Sequence, residues 1–103
     1  MKLTGKQKRY LRSQAHHLSP IFQVGKAGVT EEMEKQVAEA LAKRELLKIQ
    51  LLQNTSLTAE EAAAIFVESI DCQLVQVIGK VVVLFKASPK EKFQHYSKTL
   101  EDL

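Results

Sequence analysis

Apolar residues recur near helical spacing at Leu3, Leu11, Ala15 and Leu18, with Tyr10 beside them, and Thr4 followed by Gln7 fits a capping box. A first helix is therefore expected over residues 5–15. Pro20 closes that region, and Ile21-Phe22-Gln23-Val24 is a short β-prone run that stops at Gly25. Thr30 is placed to cap a second helix whose first turn carries Glu31, Glu32 and Glu34, favourable to the helix dipole. Met33, Val37 and Leu41 form its apolar stripe, and it should run to about Lys43. Beyond it Leu47, Ile49 and Leu51 alternate with Lys48 and Gln50, the period of a half-buried strand. Thr58 with Glu61 makes another capping box, opening a helix that turns Ala62, Ile65, Phe66 and Ile70 inward and ends before Cys72. Two apolar runs follow, Cys72 to Ile78 and Val81 to Phe85. Between them Gly79-Lys80 suits a type II′ hairpin turn with glycine first.

The last run, Val81-Val82-Val83-Leu84-Phe85, leaves neither face polar, so that strand should be covered on both sides. The tail is a candidate for part of that cover. Ser88 with Glu91 is a third capping box, Pro89 suits the first helical position, and Phe93, Tyr96 and Leu100 share a helical face. The expected fold is thus α/β, a two-layer α-β-α-β-α-β-β order with a mixed four-stranded sheet, right-handed crossovers and a C-terminal helix. Residues 1–87 form the domain proper and residues 88–103 a helical extension of it.

With 103 residues, 45% of them apolar and 26% charged, the chain is sized for one core and lacks room for a deep multi-substrate site. A single cysteine, Cys72, excludes an internal disulfide and favours a reducing compartment; no apolar run reaches a membrane span. The expected location is the cytoplasm. Net charge is +3, but its distribution is uneven: residues 1–30 hold Lys2, Lys6, Lys8, Arg9, Arg12 and Lys26 and no acid, so the rest of the chain is net acidic. A basic end of this kind is the electrostatic footprint of a polyanion binder.

Catalytic and metal chemistry find little support. One cysteine and three histidines, two of them adjacent at His16 and His17, do not make a ligand set, and Cys72 at the start of an apolar strand reads as a small buried hydrophobe. Both Gly-Lys pairs fail the phosphate-loop pattern, because Pro20 and Leu74 stand where its first glycine belongs. The pairs Glu31-Glu32 and Glu60-Glu61 lie in first helical turns, which explains them without catalysis. No catalytic residue, metal, cofactor, small-molecule substrate or membrane partner is expected. What remains is the glycine-bracketed loop Gly25-Lys26-Ala27-Gly28 between a strand and a helix. Glycines let a phosphate backbone approach, and Lys26 and the amides of the helix start attract its oxygens; alternatively both glycines serve only a tight turn with positive φ. On the first helix Lys2, Lys6, Arg9 and Ser13 form one row and Lys8 and Arg12 a second, a broad basic face. If loop and helix share a surface, they make a phosphate-contacting track that reads backbone shape above sequence.

The run Leu3-Thr4-Gly5-Lys6-Gln7-Lys8-Arg9-Tyr10-Leu11-Arg12, then Ala15-His16, Pro20, Val24 to Thr30, Arg44 to Lys48 and Val75-Gln76-Val77-Ile78-Gly79-Lys80, resembles the CRM domain, the chloroplast RNA splicing and ribosome maturation module. Within it the chain is most similar to the stand-alone bacterial YhbY-like proteins, over roughly residues 3–87. The resemblance implies a fold similar to the C-terminal domain of translation initiation factor three and RNA binding without catalysis. Bacterial members associate with precursors of the large ribosomal subunit, so ribosomal RNA is the implied partner, bound through the GxxG loop and the basic helix; a monomer is expected. Many members carry arginine where this chain has Lys86. Two other readings stand beside this one: a protein-interaction module whose basic face docks an acidic partner, and a duplex DNA-binding protein.

Overall fold

A computed structural model describes residues 2–103. Its elements are α1 (Gly5–Ala15), β1 (Phe22–Val24), α2 (Glu31–Arg44), β2 (Leu46–Leu51), α3 (Ala59–Ile70), β3 (Gln73–Ile78), β4 (Val81–Phe85), a single 3-10 turn (Glu91–Phe93) and α4 (Ser97–Leu100). The strands lie in the order β1-β2-β4-β3, β1 parallel to β2 and β4 antiparallel to both of its neighbours. Thus β1, β2 and β3 run one way, and β4 returns through the hairpin to slot between β2 and β3. At that hairpin the positive φ falls on Gly79 and not on Lys80, as a type II′ turn requires.

The doubly apolar β4 explains the layering. Val82 and Leu84 point to one face of the sheet, where α2 and α3 pack with Val37, Leu41, Ala62, Ala63 and Phe66 against Val24, Leu47, Ile49 and Leu51. Val83 and Phe85 point to the other, into a second core formed with Leu3, Leu11 and Ala15 of the N-terminal region, Leu46, Val75 and Leu100. A central strand covered on both faces has no use for a polar position. Pairing of β3 with β4 slips between Leu74 and Gln76. Leu74 and Val77 both pack on the first core, so this bulge turns the two residues between them, Val75 and Gln76, to the second face.

The C-terminal helix is present but starts at Ser97, not at Ser88. The Ser88–Glu91 capping box does not form, because both groups it needs from Ser88 are engaged elsewhere: the amide donates to Glu45 Oε2 at 2.7 Å, and the buried hydroxyl, which donates to the Ala42 carbonyl at 2.6 Å, accepts from the Lys90 amide at 3.2 Å and not from Glu91. Glu45 itself joins α2 to β2 at φ 67°, fully buried. Its carboxylate also accepts from the amides of Tyr96 (2.8 Å) and Ser97 (3.1 Å) and the Ser97 hydroxyl (2.8 Å). This acid therefore ties the segment after Ala87 to the domain. Lys86, where the family resemblance leads one to expect arginine, is committed internally: its Nζ donates to the Ile70 carbonyl at 2.7 Å, closing the C-terminal end of α3.

Candidate nucleic-acid interface

Helix α1 is set locally by its capping box, in which Thr4 Oγ1 accepts from the Gln7 amide (3.1 Å) while the Thr4 amide donates to Gln7 Oε1 (2.9 Å). Gln7 Nε2 also donates to the Leu100 carbonyl at 3.1 Å, so the C-terminal segment helps hold the helix. With Leu11 and Ala15 buried beneath, Lys6, Arg9 and Arg12 are exposed and Lys8 is half-buried. The two rows do not stay separate on the surface; the cations divide between the two ends of the helix. Lys2 and Lys8 border a depression shared with Glu60 and Ala64 of α3 and with Gln73, whereas Arg12 turns toward the second face of the sheet beside Lys48 and Gln76. Among the described residues the one ion pair is Lys98–Glu91 at 3.1 Å. Lys2, Lys6, Lys8, Arg9, Arg12 and Lys26 thus carry their charge without an acidic partner.

The loop after β1 is a tight turn in which the Gly28 amide donates to the Gly25 carbonyl at 3.0 Å, presenting Lys26 and Ala27 to solvent. Only Gly28 has a positive φ, +71°. The turn therefore accounts for that glycine and not for Gly25, where an added Cβ would stand 3.4 Å from Asn54 Oδ1 and 3.6 Å from Leu52 Cδ1 and fit without strain. The start of α2 is less available to an anion than the sequence suggests. Thr30 Oγ1 already accepts from the Met33 amide at 3.1 Å, and Glu31 and Glu32 are exposed in that turn. The positive charge exposed at this end is that of Lys26.

Strand register relates loop and helix. On the second face Lys48, Val83 and Gln76 make one row across the sheet, and Gln23, Gln50, Val81 and Ile78 the next. The C-terminal half of α1 borders the first row; the loop leaves β1 one residue beyond Gln23 in the second. A polar strip on one sheet face thus links the two features. The alternation in β2 had placed Lys48 and Gln50 outward, but the contributions of Gln23, Gln76 and Ile78 depend on pairing partners far apart in the chain.

Catalytic alternatives gain nothing from the geometry. Cys72 is buried, donates Sγ to the Phe66 carbonyl at 3.6 Å, and burial pushes its thiol up to about 11, away from the nucleophilic thiolate. No group of three or more His, Cys, Asp or Glu that could hold a metal occurs among the described residues.

Comparison with known proteins gives a consistent result. Residues 3–86 match the CRS1 / YhbY (CRM) domain family. The chain is 56% identical over 90 residues to the Bacillus subtilis protein named Probable RNA-binding protein YqeI, covering 87% of this chain and 94% of that one. It is 39% identical over 97 residues to Probable RNA-binding protein MJ0652 of Methanocaldococcus jannaschii (92% and 70% covered). Against the protein of Haemophilus influenzae named RNA-binding protein it is 33% identical over 92 residues (89% and 93%). The solution structure of the hypothetical protein SAV1595 from Staphylococcus aureus superposes with a TM-score of 0.75 at 46% identity, over 92% of this chain and 99% of that one.

Proposed function

The chain belongs to the CRS1 / YhbY (CRM) domain family, and from that premise we propose that it is a non-catalytic, cytoplasmic RNA-binding protein. It grips structured ribosomal RNA by the sugar-phosphate backbone, in assembly of the large ribosomal subunit. Gly25, Lys26, Ala27 and Gly28 form one half of the grip. Lys2, Lys6, Lys8, Arg9 and Arg12 form the other. The observation that carries this reading is the set of six unpaired cations on α1, its N-terminal flank and the loop, in a chain whose only internal ion pair among the described residues lies elsewhere. Unpaired cations keep their Coulomb attraction for a polyanion and release its counterions on binding. The names of the relatives point the same way.

Binding of large-subunit ribosomal RNA fragments, competed with length-matched duplex DNA across a salt series, tests the proposal. Preference for RNA with a steep salt slope is the expected result, since A-form and B-form duplexes differ in groove shape and in the 2′-hydroxyl. Equal, weak binding to both would overturn it and leave the basic end as a docking face for an acidic protein. Within that assay Lys26→Ala should weaken all RNA sequences nearly alike and lower the salt slope by about 0.7 to 0.9, the signature of one lost phosphate contact. An unchanged slope would remove Lys26 from the interface.

Gly25→Ala separates the two explanations of the loop. Because Gly25 needs no left-handed φ and its Cβ has room, the variant should be as stable as wild type or gain up to about 1 kcal/mol from a stiffer unfolded chain. On the proposed grip its RNA affinity should nevertheless fall, because the methyl group adds bulk to a turn that the RNA backbone packs against. Urea unfolding and RNA titration of the same preparation read the two effects; undiminished affinity would mean that Gly25 does not meet the ligand.

A further inference from the structure

From the groove between the end of α1 and the open strip of the sheet, and resting on the RNA-binding reading above, we infer that the protein also captures an unpaired nucleotide next to the RNA helix it grips. Arg12, Ser13, Ala15 and His16 form one wall of this groove, and Lys48, Gln76, Ile78 and Val83 form the floor and far wall. Its volume is ≈ 330 Å³, at the small end of the roughly 300–1,000 Å³ typical of small-molecule sites. The groove exists because α1 ends at Ala15: the second core fills the sheet only as far as Val75 and Val83.

The lining has the chemistry of a nucleotide and of little else. No acid contributes to it. Arg12 from the helix and Lys48 from the sheet supply positive charge and make no side-chain hydrogen bond or ion pair among the described residues, so both remain free for phosphate oxygens. Val83 is buried at the bottom, and Ile78 is 52% exposed, one of few large apolar side chains left in solvent. Ile78, resting above the buried Val83, offers the apolar surface for the face of a base. Gln76, brought to this face by the bulge and likewise unpartnered, carries a donor and an acceptor side by side, the arrangement that reads a base edge. A paired base cannot use such a site, because in an A-form duplex its faces are stacked and the deep groove is too narrow for side chains; an unpaired one can. The groove opens onto the strip that leads to Gly25-Lys26-Ala27-Gly28, which places the captured nucleotide at a junction between helix and single strand.

The test compares a blunt RNA hairpin with the same hairpin carrying a short unpaired 3′ overhang, for wild type and for the neutral double variant Gln76→Ala/Ile78→Ser, which leaves every cation in place. The overhang should tighten wild-type binding by about tenfold, the size of one well-made base contact. The variant should lose that gain while binding the blunt hairpin within about twofold of wild type, which also shows that it is folded. A gain retained by the variant, or no gain in a wild type that still binds the blunt hairpin, would overturn the groove and leave the backbone grip standing. Failure of wild type to bind either RNA would overturn both.

Discussion

Glu45→Ala is expected to destabilise the protein by about 2–4 kcal/mol and to free the segment after Ala87 from the sheet. The wild-type carboxylate is fully buried without a cation, and its two oxygens accept four hydrogen bonds, from the amides of Ser88, Tyr96 and Ser97 and the hydroxyl of Ser97. Its residue also sits at φ 67°, a conformation that costs a non-glycine residue about 1–3 kcal/mol, so these bonds must outweigh that strain as well as desolvation. Alanine leaves all four donors without their acceptor, but the loss is bounded because the segment can undock and give them to water. Glu45→Gln should be nearly as damaging, since one end of its amide turns donors toward donors. Urea midpoints and amide exchange at Tyr96 and Ser97 are the readouts; a Glu45→Gln variant of wild-type stability would show that charge is not what holds the segment.

The same site predicts an acid response. Burial works to raise the Glu45 pKa, but the bonds from Ser88, Tyr96 and Ser97 together outweigh it and the net shift is downward. A carboxyl group whose folded pKa lies below its unfolded value, about 4.3 for glutamate, contributes stability that is fully present above the unfolded value. That contribution disappears as pH falls through the lowered folded pKa. Protection of the Tyr96 and Ser97 amides should therefore decline on acidification in that window, and Glu45→Gln should abolish this part of the pH dependence.

Gly28→Asp is expected to reduce RNA affinity by about ten- to a hundredfold while the protein stays folded. An added Cβ would lie 3.7 Å from Leu57 Cδ1, an ordinary contact, so space is not the obstacle. The left-handed φ of +71° costs a side chain about 1–2 kcal/mol, and aspartate and asparagine are the residues that tolerate it best. The larger effect falls on binding, because the carboxylate sits next to Lys26 and repels the phosphate that the turn attracts. Gly28→Asn has the same shape without the charge and divides the effect. A smaller loss for asparagine than for aspartate identifies electrostatic repulsion, equal losses identify the side chain's bulk, and wild-type affinity in both would take the loop out of the interface.

Three of the helices and all four strands are legible in the chain because their signals are local. The Thr4–Gln7 and Thr58–Glu61 boxes form as their spacing requires, and the polar alternation of β2 and its loss in β4 report one open and one covered environment. Ser88 and Glu91 carry the same spacing and fail. The difference is not in the motif but in Glu45, which takes the Ser88 amide, and in the Lys90 amide, which donates to the Ser88 hydroxyl oxygen in place of Glu91. The two glycines of the loop likewise look equivalent in the chain, and only the backbone distinguishes a required left-handed Gly28 from an unstrained Gly25.

Periodicity, caps, turn glycines and the charge asymmetry act within about four residues or sum over composition, so the α/β order, the doubly covered last strand, the loop and the basic helix follow from the chain alone. The strand order, the bulge that turns Gln76 beside Lys48 and Arg12, and the carboxylate that anchors the tail follow from contacts between distant residues. Glu45 meets Ser88 across 43 positions and Ser97 across 52. No local propensity encodes such a pairing; it exists only once the two cores have closed on either face of β4.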